Sequence, residues 1–432
     1  MKGFEKIRYI SFWFLDTIKG SKIKKHYKDI SFILDNYSNP VVQSKLNGYI
    51  DNLLKHAIKT TMFYKKQSKY TSLSDFPIIN KNTIRDRFNE FESEVYLNRK
   101  NKHISTSGST GTPLTIFQNG NKVRRNTGDT IYFSEQANFK IGYKLLYLRL
   151  WDGQHKKSSM SKWLQNICSL DVLDLNDIFI SRFLEKIKKD SSNKGWIGYA
   201  SGYERICKYL DKINATPINA NIKSIIAISE GLNDYTKQSM AKYFNAPIVS
   251  RYSNMENGII AQQNPNGTKA FKINWASYHI EILKLNMDVP TKPGEIGRIV
   301  ITDLFNYCMP MIRYDTGDLG EIDYNQSPPV FKKIEGRKTD IILNTKGEIV
   351  SSFILFEIAT NPNLLQVQFI QKTQYEYTLK LNITDRFDSE IEILDKLKNY
   401  LGDDAKINIE YVNDIPLLAS GKRKVTLNNY LN

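Results

Sequence analysis

Apolar side chains recur at the spacing of an α-helix in the first part of the chain. Between residues 41 and 64 these positions are Leu46, Ile50, Leu53, Leu54, Ala57 and Ile58. Their spacing predicts a helix over 41–64 because they fall on one face of a 3.6-residue period. A turn is expected at 75–80, where Pro77 and polar residues interrupt the pattern, and a further helix is expected to begin at Lys81.

From about residue 100 the pattern changes to short apolar runs separated by helical segments. The runs expected to be buried strands are 145–150, 224–229, 246–250 and 297–302. A helix is expected at 237–244, and strand–helix–strand order of this kind is typical of an α/β layered domain. We therefore predict an α/β fold with a large N-terminal domain of layered sheets and helices, 1–335, and a small α+β C-terminal domain, 336–432.

The charge balance favours an anionic partner. The chain has 432 residues with 61 Lys and Arg against 45 Asp and Glu, a net charge of +16. Such an excess suits nucleic acid, acidic lipid or a phosphorylated substrate. Nucleic acid is not expected because no nucleic-acid-binding motif is present and the basic residues are dispersed. The 41% hydrophobic and 25% charged residues are ordinary for a globular protein and exclude collagen-like, coiled-coil and disordered classes.

Cysteine usage and hydropathy bear on the compartment. The three cysteines, Cys168, Cys207 and Cys308, lie far apart and predict neither a disulfide framework nor a zinc site, so a cytoplasmic protein is expected. No apolar run approaches the roughly 20 residues that span a bilayer. The apolar stretch 9–15 is short and no small-residue cleavage site follows it, so a cleaved signal peptide is not expected.

Residues 1–35 combine aromatic side chains with a basic run at 19–28. One interpretation is an amphipathic helix on a membrane surface, because aromatic rings suit the interface and lysines suit anionic lipid. The other, which we prefer on the sequence alone, is a helix packed on the domain with solvated lysines.

The segment 105–113 has the sharpest chemical signal. Its hydroxyls and two glycines suit neither a core nor a regular element. Glycine lets backbone N–H groups approach an anion, and the hydroxyls add donors, so the segment is suited to phosphate binding. It is not a Walker A loop, because no Gly-Lys-Ser or Gly-Lys-Thr follows. A surface linker is the alternative.

Three later motifs also carry candidate chemistry. In 312–320, Asp315 and Asp318 flank a glycine, and such carboxylates could accept hydrogen bonds from ribose hydroxyls or simply form an Asx turn. In 334–342, Arg337 could hold a phosphate or ribose through its guanidinium fork. In 416–422, Lys422 follows a glycine near the C-terminus, where a frayed basic tail is the alternative.

In this order and spacing, the four motifs resemble the adenylate-forming ligase superfamily. The resemblance is strongest to its phenylacetate–CoA ligase-like branch, which includes the CapK-type proteins of capsular polysaccharide clusters. It extends over nearly the whole chain. The further segments that carry it are 54–64, 73–81, 229–231, 252–256 and 293–298.

The resemblance implies a role for each matching residue. The residues expected to wrap the β- and γ-phosphates of ATP are Thr106, Ser107, Gly108, Ser109, Thr110 and Gly111. Those expected around adenine are Tyr252, which would stack on the base, and Ser229, Glu230 and Gly231 beside it. Asp318 would bind the ribose hydroxyls, Arg337 the ribose and phosphate region, and Glu256 Mg²⁺. Lys422 would contact the α-phosphate and the substrate carboxylate; Lys422, Glu256 and Arg337 are the catalytic candidates.

The activity implied is a two-step, ATP-dependent carboxylate ligation with ATP and Mg²⁺, and CoA for some members. A carboxylic acid forms an acyl-adenylate, and the acyl group passes to CoA or to an amine or hydroxyl of a sugar or nucleotide sugar in cell-surface polysaccharide synthesis. The small C-terminal domain rotates between the steps in such ligases. A catalytically silent, nucleotide-binding scaffold is the alternative. We expect a cytoplasmic protein, with peripheral contact at the inner membrane face through its basic N-terminus as the alternative that remains open, and the resemblance allows a homodimer.

Some positions depart from the resemblance. Thr112 and Leu114 occupy places where many members have a lysine, while Ser253 and Met255 replace a glycine and a hydroxyl residue. The hinge acid aligns with Thr339, with Asp340 one place later.

Four aromatic residues near 145–203 could line an acyl pocket for an aromatic acid. They are Trp151, Trp196, Tyr199 and Tyr203. An ordinary place in the core is the interpretation we prefer for them.

Overall fold

A computed structural model gives the architecture of the chain. It describes residues 2–105, 114–151, 158–265, 269–337, 341–350, 358, 363–384, 387, 389–416 and 424–430. The helices are α1 (Gly3–Ile18), α2 (Lys22–Asp35), α3 (Pro40–Thr60), α4 (Lys81–Asp86), α5 (Phe88–Phe91), α6 (Gly120–Gln136), α7 (Ser159–Leu164), α8 (Asp177–Lys189), α9 (Ala200–Lys212), α10 (Asp234–Phe244) and α11 (Glu390–Leu401).

Strands form the centre of the molecule. In chain order they are β1 (Lys102–Ser105), β2 (Thr115–Gln118), β3 (Lys144–Arg149), β4 (Ile167–Asp171), β5 (Lys194–Tyr199), β6 (Ile222–Ile228), β7 (Ile248–Asn254), β8 (Gly258–Gln263), β9 (Phe271–Ile273), β10 (Tyr278–Leu283), β11 (Gly297–Asp303), β12 (Tyr314–Asp323), β13 (Val330–Arg337), β14 (Ile342–Leu343), β15 (Ile349–Val350), β16 (Leu364–Gln371), β17 (Glu376–Ile383), β18 (Lys406–Tyr411) and β19 (Thr426–Asn428). The four strands predicted from the sequence are confirmed as β3, β6, β7 and β11.

An eleven-stranded sheet in the order β10-β11-β12-β13-β9-β8-β7-β6-β5-β3-β4 dominates the fold. The strands from β4 to β7 are parallel, and from β7 onward towards β10 every pairing is antiparallel. Helices α8, α9 and α10 contribute apolar residues to a core on the parallel half. This confirms the predicted α/β class. The parallel and antiparallel halves of the sheet meet at the turn from β7 into β8.

Helix boundaries follow capping residues. Helix α3 begins at Pro40, after Asn39 caps its N-terminus by accepting from the Val41 N–H. The prediction of a helix over 41–64 was wrong at its end, because the chain is extended at Thr61 and then turns to bury Tyr64. The Tyr64 hydroxyl accepts a hydrogen bond from the Ile312 N–H at 3.2 Å, which fixes this turn against the strand region.

The C-terminal residues form a sheet of their own, in the order β18-β17-β16-β19, with α11. Their apolar side chains make a separate core that includes Leu379, Leu381 and Leu397. The predicted division at residues 335 and 336 stays a prediction. Among the described residues, no helix is both long and apolar enough to cross a bilayer.

Candidate functional site

Glu256 lies in the turn between β7 and β8, where the two halves of the large sheet meet. Only 2% of the residue is exposed. Its Oε1 accepts a hydrogen bond from the Tyr314 hydroxyl at 3.0 Å and pairs with the Lys81 ammonium at 2.9 Å. Gln118 donates to its backbone carbonyl at 2.9 Å. The carboxylate is thus fixed in place, and one cation compensates its charge.

Lys81 reaches this site because the chain before α4 runs alongside β12. Ile79 forms an isolated parallel bridge with Tyr314, in which the Ile79 N–H donates to the Arg313 carbonyl and the Asp315 N–H donates to the Ile79 carbonyl. The side chain of Asn80 then caps α4 by accepting from the Thr83 N–H at 3.0 Å. Lys81, the first residue of α4, is consequently directed at Glu256 and keeps 33% of its side chain exposed.

Sequence reasoning assigned no role to Lys81 or Tyr314. Both stand in segments that the resemblance used, Lys81 at the end of 73–81 and Tyr314 within 312–320. A local signal for Lys81 does exist in the sequence. The lysine directly follows Asn80, which caps a helix, and a charged side chain at the start of a helix is expected to stay outside the core. Its partner Glu256 lies 175 positions further along the chain (256 − 81), so no local pattern links them.

Tyr252 and Asp318 meet across the sheet. The Tyr252 hydroxyl donates to Asp318 Oδ2 at 2.7 Å. Tyr252 is on β7 and Asp318 on β12, and three strands lie between them in the sheet order. Since neighbouring strands are about 4.8 Å apart, a flat sheet would hold these residues well beyond contact. The sheet must therefore curl here, and the hollow it makes carries both predicted side chains.

Arg337 completes this group from the adjacent strand. Asp318 on β12 is the register partner of Arg337 on β13, and both side chains are half-buried. Burial raises the pKa of Asp318, although the hydrogen bond from Tyr252 and the charge of Arg337 oppose the rise. Burial and the neighbouring carboxylate raise the pKa of Tyr252 well above that of a free phenol. Tyr252 is therefore a neutral hydrogen-bond donor.

The two acidic residues of 312–320 have different roles. Asp315 Oδ1 accepts from the Gly317 N–H at 2.9 Å, which is an Asx turn, and its Oδ2 pairs with Arg298 at 2.8 Å. Gly317 has a φ of +78°, which a side chain would disfavour. Asp318 is directed instead at Tyr252. The Asx-turn interpretation therefore holds for Asp315, and ribose binding by Asp318 stays a prediction.

The segment Ser229, Glu230 and Gly231 follows β6 directly. Ile228 at the end of β6 is in register with Arg251 on β7, so the segment begins at the level of Tyr252, and its place beside adenine stays a prediction. Ser229 has a φ of +71°, which turns the chain out of the strand. Glu230 Oε2 accepts from the Ser201 N–H at 2.8 Å, near the start of α9. Glu230 thus also serves as a helix-terminus acceptor, which favours a carboxylate there.

Several predicted residues lie outside the described residues. They are Thr106, Ser107, Gly108, Ser109, Thr110, Gly111, Thr112, Thr339, Asp340 and Lys422. The strands on either side of 106–113 are described. Ser105 on β1 and Thr115 on β2 are antiparallel partners, and the last residue of β2, Gln118, donates a hydrogen bond to the Glu256 backbone. Leu114, one of the positions that depart from the resemblance, is buried in an apolar cluster.

The four aromatic residues considered for an acyl pocket divide into two pairs. Trp196 and Tyr203 are fully buried in the core of the parallel half, as the preferred interpretation held. Trp151 and Tyr199 lie at the carboxyl ends of β3 and β5; Tyr199 is also buried, at 5% exposure, whereas Trp151 is half-buried. The chain passes from β3 to the edge strand β4 and returns to β5 on the other side of β3. Crevices at such a switch point are where ligands bind in open α/β sheets.

The site has two parts that suit a magnesium nucleotide. An adenosine side, defined by Tyr252, Asp318 and Arg337, offers an aromatic ring, a carboxylate and a guanidinium. A phosphate side, defined by Glu256, Tyr314 and Lys81, offers a carboxylate and an ammonium. Within the described ranges, no cluster of three or more His, Cys, Asp or Glu side chains could hold a metal ion. Mg²⁺ on nucleotide phosphates needs only one or two protein carboxylates, so Glu256 fits it.

The chain is similar in sequence to known proteins. Residues 342–429 match the CapK C-terminal domain family. Over 395 residues the chain is 24% identical to protein CapK of Staphylococcus aureus, covering 86% of this chain and 84% of that protein.

Solved structures show the same fold. A 2-hydroxyisobutyryl-CoA ligase in the postadenylation state with its acyl-AMP superposes with a TM-score of 0.69 at 13% identity, covering 89% of each chain. ATP-bound MatB from Rhodopseudomonas palustris gives 0.55 at 18% identity, covering 74% of this chain and 66% of that one. The resemblance inferred from the motifs is confirmed: the chain shares the fold of these adenylate-forming ligases, and residues 342–429 match the CapK C-terminal domain family.

Proposed function

We propose that the protein is an ATP-dependent carboxylate ligase that forms an acyl-adenylate. The observation that carries the proposal is the paired cluster at the junction of the sheet halves. There, hydrogen bonds and ion pairs hold Tyr252 against Asp318 and Glu256 against Lys81. A scaffold protein needs no fixed carboxylate with a partly exposed cation beside an aromatic ring.

On the adenosine side, the half-buried Tyr252 ring offers a face for the adenine base. Asp318 accepts hydrogen bonds from the ribose hydroxyls when ionised, and Tyr252 fixes the orientation of its carboxylate. Arg337, next to Asp318 in the strand register, supplies positive charge at the ribose and phosphate region. These groups do not change charge during the reaction, so their role is to bind and orient ATP.

On the phosphate side, the substrate carboxylate attacks the α-phosphorus, and the bond to the bridging oxygen of the β-phosphate breaks. Pyrophosphate leaves with that electron pair, and the acyl-adenylate remains. Lys81, the partly exposed partner of Glu256, would offset negative charge that builds on the phosphates. Glu256 would hold Mg²⁺, which supplies further charge neutralisation when bound. Tyr314 orients the Glu256 carboxylate by its hydrogen bond at 3.0 Å.

Two further parts of the proposal rest on the resemblance. Residues 106–111 would wrap the β- and γ-phosphates, and Lys422 would contact the α-phosphate and the attacking carboxylate. The segment 336–432 would act as a small domain that rotates between adenylation and acyl transfer.

We further propose that the acyl group passes to CoA or to an amine or hydroxyl of a sugar in cell-surface polysaccharide synthesis, in the cytoplasm. The likeness to CapK supports this setting. The phenylacetate–CoA ligase-like branch and a homodimer belong to the same proposal. The runner-up function is a catalytically silent scaffold that binds nucleotide.

The test is pyrophosphate release from Mg-ATP with a panel of aromatic, aliphatic, hydroxy, amino and sugar acids, each with and without CoA. Release that requires one class of acid supports the ligase. Dependence of product formation on CoA distinguishes a thioester ligase from a sugar-modifying one. Tight ATP binding without release from any acid, with Glu256→Gln as the matched comparison, would favour the scaffold.

A further inference from the structure

Helix α1 exposes a largely apolar face, with Ser11 as the polar residue within it. The side chains concerned are Phe4, Ile7, Ile10, Phe14, Leu15 and Ile18, which are between 54% and 80% exposed. At 100° per residue they fall within an arc of about 140° on one side of the helix. Single exposed apolar residues are normal on a protein surface, but a contiguous stripe of this kind marks an interaction site.

The opposite face of α1 is fixed to the body by two buried carboxylates. Glu5 accepts hydrogen bonds from the Asn193 backbone N–H at 2.8 Å and from its side-chain amide at 2.9 Å. Asp16 accepts from the N–H groups of Ile23 at 3.0 Å and Lys24 at 2.9 Å, and so caps α2. These hydrogen bonds fix the orientation of α1, and the apolar stripe on its other side therefore faces away from the protein.

The charges around the stripe have a single sign. The basic residues from 2 to 28 are Lys2, Lys6, Arg8, Lys19, Lys22, Lys24, Lys25 and Lys28. Glu5 and Asp16 are the acidic residues in this range, and both are buried. On a helical projection Lys6 lies on one edge of the stripe, and Arg8 and Lys19 lie on the other. The surface that α1 and the start of α2 present is thus apolar and cationic, with no exposed carboxylate.

A second exposed apolar group lies near the start of α1. In α7 the exposed side chains are Met160, Trp163 and Leu164. Trp163 lines a cavity of about 410 Å³ together with Lys144 and Asp190, which form an ion pair with each other. The next residue, Ser191, accepts a hydrogen bond from the Lys2 ammonium through its carbonyl. Tryptophan prefers the boundary between headgroups and acyl chains.

We propose that α1 lies in the surface of an anionic lipid bilayer, with its apolar stripe among the upper acyl chains and the flanking lysines at the headgroups. Charge complementarity selects this occupant. A second copy of the chain would bring the same cationic flanks together, which opposes pairing through this face. A helix that is apolar on one face and basic at its edges is the form that binds in the plane of the interface. This inference is independent of the proposed ligase activity.

The test is co-sedimentation of the full chain with vesicles of phosphatidylcholine, with or without phosphatidylglycerol. We expect binding to the anionic vesicles that falls as salt is raised, and at least about tenfold weaker binding to neutral ones. Ile7→Glu with Phe14→Glu should lower anionic-vesicle binding by about tenfold or more. The matched control is Ile178→Glu with Ile391→Glu, which changes two isoleucines on other helices that are more exposed than Ile7 and Phe14, and it should leave binding intact.

A folding defect is separated from loss of binding by a second variant. Replacing Lys22, Lys24, Lys25 and Lys28 with glutamine changes exposed side chains only and should also weaken binding to anionic vesicles. Equal binding to neutral and anionic vesicles, no binding to either, or unchanged binding of both variants would overturn the proposal. So would a dimer in light scattering that dissociates in the Ile7→Glu, Phe14→Glu protein, because a second copy would then cover the stripe.

Discussion

The adenosine and phosphate sides of the site are built differently. The adenosine side takes Tyr252, Asp318 and Arg337 from strands of one sheet, and these side chains stay half-buried and open to the hollow. The phosphate side joins a nearly buried Glu256 to Lys81, which comes from the start of a helix far earlier in the chain. The nucleoside keeps its charge during the reaction, so binding it needs a complementary shape and hydrogen bonds. Negative charge builds on the phosphates, and stabilising it needs a cation that remains accessible.

This difference predicts different kinetic consequences. Interactions that are stronger in the transition state than in the ground state raise kcat, and uniform binding changes KM alone. We therefore expect substitutions on the phosphate side to lower kcat and those on the adenosine side to raise the KM for ATP. Each prediction below tests one part of this division.

The largest effect is expected at Lys422, which would join the phosphate side only for adenylation. Lys422→Ala should abolish pyrophosphate release, a loss of about 10³-fold, because a charge on the α-phosphate and carboxylate is removed. ATP binding should persist by calorimetry, and acyl transfer from a supplied acyl-adenylate should be spared. An equal loss in both half-reactions would contradict the domain rotation.

Lys81 offers the next test. Lys81→Met should lower kcat by about 10²-fold with a small change in the KM for ATP, since the methionine keeps the length and loses the charge. Lys81→Arg is the matched control and should recover part of the rate. A double-mutant cycle with Glu256→Gln should be strongly non-additive, because the two side chains are paired. Additive losses of kcat would show that Lys81 and Glu256 act independently, and would contradict their action as a pair.

At Asp318 we expect a change in ATP affinity. Asp318→Asn should raise the KM for ATP by about tenfold, since hydrogen bonds to an ionised group are lost. Because burial raises its pKa, Asp318 protonates at a higher pH than an ordinary aspartate. ATP affinity should therefore begin to fall at a higher pH as the solution is acidified, and the Asn variant should lack this pH dependence. A KM profile that is the same in both proteins would exclude Asp318 from ribose binding.

Tyr252→Phe should have the smallest effect. The phenylalanine keeps the ring for the adenine base and removes the hydrogen bond to Asp318. A net loss of about 0.5–1.5 kcal/mol corresponds to a KM increase of roughly two- to tenfold. Tyr252→Ala, which also removes the ring, should raise the KM further. If the two variants behaved alike, the ring would not contact the base.

Of the strands that hold the adenosine side, the sequence alone predicted β7, which carries Tyr252, but not β12 and β13, which carry Asp318 and Arg337. It also identified Glu256, Asp318 and Arg337 individually. It missed the Lys81–Glu256 pair, since the contact depends on a bridge between Ile79 and Tyr314 that local periodicity does not show. Periodicity also could not show that Asp315 and Asp318 have different partners. The Asx turn and the curl of the sheet decide which of the two carboxylates is directed at Tyr252.

The N-terminal segment shows the same limit of local pattern. The sequence favoured a helix packed on the domain, and one face of α1 is indeed fixed by Glu5 and Asp16. The amphipathic pattern alone does not say which apolar face is buried. The aromatic side chains Tyr9, Phe12 and Trp13 are half-buried, whereas the apolar stripe, which includes Phe4 and Phe14, faces outward.

The central claim is that the paired cluster catalyses attack of a carboxylate on ATP. Exchange of labelled pyrophosphate into ATP, measured without any acyl acceptor, isolates that half-reaction. The account predicts exchange that requires one class of carboxylic acid, depends on Mg²⁺, and falls by about 10²-fold in Lys81→Met. Acid-dependent exchange that is unchanged by Lys81→Met, or ATP binding without exchange for any acid, would contradict it.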